Sequence, residues 1–359
     1  MKTFRLLAIG LALSACSIEI SDPTAAATAA SQLPGATPAP TRAPTLAAPA
    51  WETLGLTGSL IYTQGAQGIK RLDLATGNID SVFTPPEDAW LTAAAVSPDG
   101  KTLVMAYAPP PPAGEVQLGY TSLYQFSIGS DPAAAPEPLI TRNDPQESYF
   151  TPAWSPDGQY IYYAHFIPVR GSGGNTFKYT LERIRYSQGG RPDILIEDSI
   201  WPRLSADGTK LAYLKFDTEN FNQELYMADA DGKNGSPVLP PGEFPSVDAQ
   251  FFSPDGKSII FNAVGEGRSP ALSWLDRLTG AQIAEAHNVP SDWWSVTLGE
   301  SKATRLTEIY DMSMYGNFSP DGQYIAFTSA TGMHLMKPDG SGLTPLAPID
   351  APGTVEWAP

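Results

Sequence analysis

One short motif recurs five times, and it constrains the fold more than any other feature. The copies are Ser97-Pro98-Asp99-Gly100, Ser155-Pro156-Asp157-Gly158, Ser205-Ala206-Asp207-Gly208, Ser253-Pro254-Asp255-Gly256 and Ser319-Pro320-Asp321-Gly322. They follow one another at intervals of roughly 50–65 residues, the size of one repeat unit in a circular array. Each copy follows a short strand-like run that ends in a bulky residue (Val96, Trp154, Leu204, Phe252, Phe318). Each precedes a β-branched and aromatic run. Ser opens a type I turn, Pro presets φ, Asp accepts local backbone hydrogen bonds and Gly supplies positive φ. The unit is therefore a hairpin of strands a and b.

Two further strands complete each unit. Leu225–Asp229 and Met333–Lys337 read as strand c, followed by turns at Asp231-Gly232 and Asp339-Gly340, and Arg305-Leu306-Thr307 reads as part of a strand d. Four strands per unit make one propeller blade. The ends complement each other. Gly58–Thr63 is a strand b without a strand a, and Thr354–Pro359 is a strand a cut off before its turn. Pairing Trp357 beside Leu60 completes a first blade, giving six in all. The expected fold is an all-β six-bladed propeller over residues 51–359, closed by the C-terminal strand. Closure removes exposed sheet edges.

The repeats resemble those of TolB-type propellers, the W-S-P-D-G family related to WD-repeat blades, over roughly residues 55–359. In TolB a separate α/β domain precedes the propeller. The N-terminal residues here leave no room for one, so the resemblance implies the architecture and not TolB's role. Similar propellers serve as gating domains of prolyl-oligopeptidase-like and tricorn-like peptidases, whose hydrolase domain is not accommodated here. Others are sugar lyases with histidines around a metal, which would require His165, His287 and an acid to converge at the channel mouth.

Residues 1–15 combine Lys2 and Arg5 with the apolar stretch Leu6–Ala15. Ten apolar residues are too few to span a bilayer, which needs about 20, so the segment reads as an export signal. Leu13-Ser14-Ala15-Cys16 resembles the bacterial lipobox, and Cys16 is the only cysteine in the chain. The resemblance implies diacylglyceryl (palmitate-type) lipidation of Cys16 and a location outside the cytoplasm, anchored to the cell membrane or the outer membrane. The alternative is a plain secretory signal with an incidental cysteine. Residues 16–50 are rich in Ala, Pro and Thr and nearly lack bulky apolar residues. They read as a disordered tether.

Composition narrows the chemistry. One Cys and three His argue against a disulfide framework or a Cys/His metal centre. A formal charge of −16 argues against a nucleic-acid partner. No Walker loop, HExxH or GxSxG motif is present, and no catalytic residue, metal or cofactor is expected. The a–b turns are short and uniform. The b–c connections (108–120, 166–178 and about 264–291) are long and dissimilar, which places function on the face they share with the d–a connections. Ser269–Gly280 reads as a short helix on that face, with Asp292–Leu298 as strand c of its blade; the competing reading makes Leu272–Leu278 strand c itself. The d–a connections supply a candidate ligand-binding rim of Trp90, Glu147, Tyr149, Trp201, Glu243, Tyr310 and Asp311. The alternative is that these are solvated acids and aromatics capping the packing between blades. The functional expectation is a monomeric binding module for an envelope protein, peptide or glycan. The alternative is a propeller enzyme, a glycan lyase or hydrolase with its site at the channel mouth.

Overall fold

A computed structural model describes residues 51–171, 174–186, 190–217, 222–265, 290–349 and 352–358. After a helical turn at Trp51–Leu54, these residues form six four-stranded antiparallel sheets. Blade 1 holds β1 (Ser59–Thr63), β2 (Ile69–Asp73) and β3 (Ile79–Phe83). Blade 2 holds β4 (Trp90–Val96), β5 (Thr102–Ala108), β6 (Ser122–Ser127) and β7 (Glu137–Ile140). Blade 3 holds β8 (Ser148–Trp154), β9 (Tyr160–Gly171), β10 (Gly174–Arg185) and β11 (Asp193–Glu197). Blade 4 holds β12 (Ser199–Leu204), β13 (Lys210–Asp217), β14 (Asn222–Asp229) and β15 (Ser236–Pro237). Blade 5 holds β16 (Val247–Phe252), β17 (Ser258–Ala263), β18 (Asp292–Thr297) and β19 (Thr304–Arg305). Blade 6 holds β20 (Tyr315–Phe318), β21 (Ile325–Ser329), β22 (Gly332–Met336) and β23 (Thr344–Ala347). The last strand, β24 (Val355–Ala358), returns to pair with β1 as the inner strand of blade 1.

That closure has the register expected from the two half-units: Leu60 faces Trp357 and Ile61 faces Glu356. The seam is reinforced beyond the ladder. Thr63 donates its amide to the Thr354 carbonyl at 2.9 Å. The Thr354 hydroxyl accepts from the Ala94 amide at 3.0 Å and donates to the Ala94 carbonyl at 3.1 Å, joining blades 1 and 2. Gly353 is required by contact, because a Cβ there would lie 2.0 Å from the Thr63 hydroxyl.

The five motif turns share one hydrogen-bond pattern. In each, the serine hydroxyl donates to the aspartate carboxylate at 2.6 Å. The serine hydroxyl also accepts a backbone amide five residues on. The aspartate accepts the amide two residues on. The serine hydroxyl and these amides hold all five carboxyls below the usual carboxylate range. The Pro and Gly of the motif also work between blades. A Cβ on Gly158 would meet Pro98, one on Gly208 would meet Pro156, and one on Gly322 would meet Pro254, at 3.4–3.9 Å. The motif with Ala206 offers no ring to its neighbour, and the space at Gly256 is open.

Two connections were tested by the structure. Strand c of blade 5 is β18, in register with β17 from Ala263↔Asp292 to Ser258↔Thr297, which settles that assignment against Leu272–Leu278. The expected helix at 269–280 lies outside the described residues. Of the 166–178 segment, expected as a loop, residues 166–171 and 174–178 instead continue β9 and β10. Their pairing runs unbroken from Arg185↔Tyr160 to Gly174↔Gly171. Aromatic packing explains the difference. Phe166 stacks on Phe177 at 4.5 Å and tilts against Tyr179, which meets Phe216 of blade 4. Cross-strand aromatic contacts of this kind stabilise a hairpin by about 0.2–1 kcal/mol each.

Deleting Thr354–Pro359 is expected to leave β1 as an unpaired inner edge and to remove the Thr354 link. The loss of several kcal/mol should lower Tm by more than about 10 °C, since 1 kcal/mol moves Tm by about 2–4 °C in domains approaching this size. Calorimetry showing an unchanged Tm contradicts closure as a source of stability.

Candidate functional site

The channel is built by the six inner strands. Four of them bulge against their strand b: β4 between Leu91 and Ala93, β8 between Phe150 and Ala153, β12 between Ile200 and Arg203, and β16 between Asp248 and Phe251. Thr151, Trp201 and Ala249 take positive φ at three of these bulges. A bulge re-aims the side chains after it. In β12 it sends Arg203 across the axis. Its guanidinium donates to Glu356 of β24 at 3.0 Å, and the other Glu356 oxygen accepts from Asn317 of β20 at 2.6 Å. Blades 1 and 4 stand opposite each other in a ring of six, so the pair forms a crossbar. Beside it, on the side of the a–b turns, lies a cavity of about 190 Å³ bordered by Pro98, Trp154, Leu204 and Phe252.

Breaking a mostly buried pair strands a charge, whereas replacing both members by apolar groups is often neutral. Arg203→Met is therefore expected to lower stability by about 3 kcal/mol, and Arg203→Met with Glu356→Leu to recover most of it. Additive losses in denaturant unfolding count against the crossbar.

A second polar cluster lies inside blade 3. The pairing of β8, β9 and β10 puts Tyr149, His165 and Thr180 side by side. The His165 ring is buried between two carboxylates, with Nε2 2.6 Å from Glu147 and Nδ1 2.8 Å from Glu182. Tyr149 stacks on the imidazole at 4.2 Å and donates its hydroxyl to Glu147 at 3.2 Å. Tyr163 and Thr180 donate to Glu182 at 3.1 and 2.8 Å. Backbone amides of Asn143 and Asp144 donate to the other Glu147 oxygen, which ties the d–a connection into the cluster. Burial alone would lower the His165 pKa, but the hydrogen bonds and charges of Glu182 and Glu147 outweigh it and raise the value above the ordinary 6.5. Burial would raise both carboxyls. The Asn143 amide and His165 (for Glu147) and His165 and Thr180 (for Glu182) outweigh it and hold them below the ordinary 4.5. The cluster is an imidazolium clamped by two carboxylates, with neither ring nitrogen open to a substrate.

The pH dependence follows from these directions. A raised His165 contributes stability fully below its unfolded pKa, and that contribution is lost as pH rises through the folded value. The lowered carboxyls contribute above their unfolded pKa, and lose the contribution as pH falls through the folded values. His165→Leu should therefore cost about 3–5 kcal/mol where all three contributions are complete, between about pH 5 and 6.5, above the unfolded carboxyl values and below the unfolded histidine value. The cost should shrink on both sides of that window. Urea unfolding of both proteins across pH 4–9 checks it, and a pH-independent difference contradicts it.

The rim residues named from sequence divide by environment. Glu147 and Tyr149 belong to the His165 cluster. Trp201 is buried and stacks on Tyr315 at 5.9 Å, and its carbonyl accepts from Gln250. Asp311 is buried and accepts from the Thr331 hydroxyl and amide at 2.6 and 3.1 Å. Tyr310 is half-buried, and its amide donates to Asp292 at 3.1 Å. Glu243 is half-buried with one carboxylate oxygen shielded and unpartnered. Trp90 is exposed. His287 lies outside the described residues, and His334 is largely enclosed beside Phe327, its pKa lowered by burial. Among the described residues no cluster of three His, Cys, Asp or Glu is arranged to hold a metal.

No family model matches the chain, and no curated protein matches it in sequence. Solved structures share its fold. TolB from Acinetobacter baumannii superposes with a TM-score of 0.59 at 15% identity, covering 84% of this chain and 67% of that one. A TolB of Agrobacterium tumefaciens, described as putative, gives 0.54 at 21% identity, covering 85% of this chain and 100% of that one. Puromycin hydrolase gives 0.52 at 18% identity, covering 84% of this chain but 48% of the hydrolase. The chain is thus a six-bladed propeller of TolB-like architecture that spans about half the length of that hydrolase.

Proposed function

We propose that this chain is a lipid-anchored, extracytoplasmic binding module that takes a protein, peptide or glycan on the face formed by its b–c and d–a connections. Residues 1–15 serve as the export signal, Cys16 carries the lipid, and residues 16–50 hold the propeller off the membrane. The observation that carries the reading is where apolar surface is left uncovered. Of the eight large hydrophobic side chains exposed among the described residues, six lie on this face: Trp90, Val116, Leu118, Val169, Phe177 and Met312. The other two, Ile79 and Ile194, lie on outer strands. Scattered apolar exposure is ordinary, but concentration on one face marks an interaction surface. The face with the repeated turns carries none of them. The fold supports the reading only as a scaffold, since one propeller architecture hosts many functions.

Photo-crosslinking in cells tests the face. A crosslinker at Val116 or Phe177 is expected to give discrete adducts, and one at Lys101 or Lys257 in the motif turns is not. Adducts from the turns alone overturn the assignment. Cys16→Ala should move the protein from the membrane to the soluble fraction without changing its Tm, and retention in the membrane fraction contradicts the anchor.

A further inference from the structure

The loop face is not uniform, and blade 2 carries a patch whose chemistry selects among partners. Trp90 opens β4 with 49% of its surface exposed, and the connection after β5 lays Val116 and Leu118 near it, 79% and 72% exposed. The connection is held in place. The Gln117 amide donates to the carbonyls of Asp88 at 3.3 Å and Pro109 at 3.0 Å, and its oxygen accepts the Gly119 amide at 3.1 Å. Gly119 lies against the indole, where a Cβ would stand 3.3 Å from Nε1. Three exposed carboxylates stand within three residues of Trp90 or Val116 in the chain: Glu87, Asp88 and Glu115. None of the three has an ion-pair partner among the described residues, whereas Asp144 and Glu197 on blade 3 are paired with Arg170 and Lys178.

We infer that this patch docks a basic, apolar segment of a partner protein, in which Lys or Arg alternates with bulky apolar side chains. The inference rests on the loop-face reading and deepens it. Exposed apolar groups favour burial against apolar side chains. Unpaired carboxylates around them attract cations and disfavour anionic partners, a lipid surface included. The indole adds a face for an ammonium or guanidinium. A glycan would use the indole but leave Val116 and Leu118 without apolar partners.

The test uses the full chain with Cys16→Ala, so that no acyl chains compete, and labelled twelve-residue peptides read by fluorescence anisotropy. An alternating Lys–Leu peptide is expected to bind. Its Glu–Leu counterpart should not bind, and a Lys–Gly peptide should bind at least tenfold more weakly. Trp90→Ser, and separately Glu87→Gln with Asp88→Asn and Glu115→Gln, should each weaken Lys–Leu binding at least tenfold. An equal loss of charge on outer strands (Asp80→Asn, Glu137→Gln, Asp193→Asn) should weaken it less than threefold, which separates the patch from the overall negative charge. Comparable binding of the Glu–Leu peptide overturns the inference. So does maltohexaose binding that Trp90→Ser abolishes while the Lys–Leu peptide stays unbound. If Phe177→Ser weakens the Lys–Leu peptide and Trp90→Ser does not, the patch assignment fails while the loop face stands. If neither does, the loop face fails with it.

Discussion

The pairing of β24 with β1 is the constraint on which the rest of the molecule depends. Without it, blade 1 has three strands and the ring has two free ends. With it, every blade packs between two neighbours and no inner strand presents an edge. The closing strand also carries Glu356, so the crossbar to Arg203 exists only once the ring is shut. Gly353 and Thr354, just ahead of β24, supply the close approach and the extra hydrogen bonds that join the seam to blades 1 and 2. Closure and the crossbar thus depend on the same strand.

The repeat was legible because its physics is local. Serine, aspartate and glycine satisfy one another within a few residues, so the turns and the strands beside them can be read directly. Closure was legible because two half-units at the ends complete each other. The approach of Pro98, Pro156 and Pro254 to the motif glycine of the next blade was hidden, since it lies between units rather than within one. The β9–β10 hairpin was also hidden. Pro168, Gly171 and Gly174 look like loop residues, and only the pairing that brings Phe166, Phe177 and Tyr179 together places them in strands.

The polar clusters were harder to see for the same reason. Glu147 and Glu182 lie 18 and 17 residues from His165, and nothing in their spacing marks them as its partners until β8, β9 and β10 are in register. Arg203 and Glu356 are 153 residues apart, and their meeting depends on a bulge and on ring geometry. The rim aromatics were found as residues but not as environments. Trp90 faces solvent while Tyr149 and Trp201 are enclosed, Tyr149 stacked on His165 of β9 and Trp201 on Tyr315 of β20. Sequence carries that information only through the packing it produces.

On the proposed binding role, these clusters act through preorganisation. Ordering a loop on association costs about 0.5–1.5 kcal/mol for each side chain immobilised, so a surface made of connections binds well only if they are already fixed. Three devices fix them here. The Glu147 carboxylate holds the amides of Asn143 and Asp144, and His165 holds the carboxylate. Arg170 ties the blade 3 hairpin to Asp144 at 2.6 Å. Gln117 pins the blade 2 connection beside Trp90. A buried charged cluster contributes little net stability compared with an apolar core. Here it anchors the connection at 143–147 to a rigid sheet, and that makes the conformation of this connection a property of the free protein.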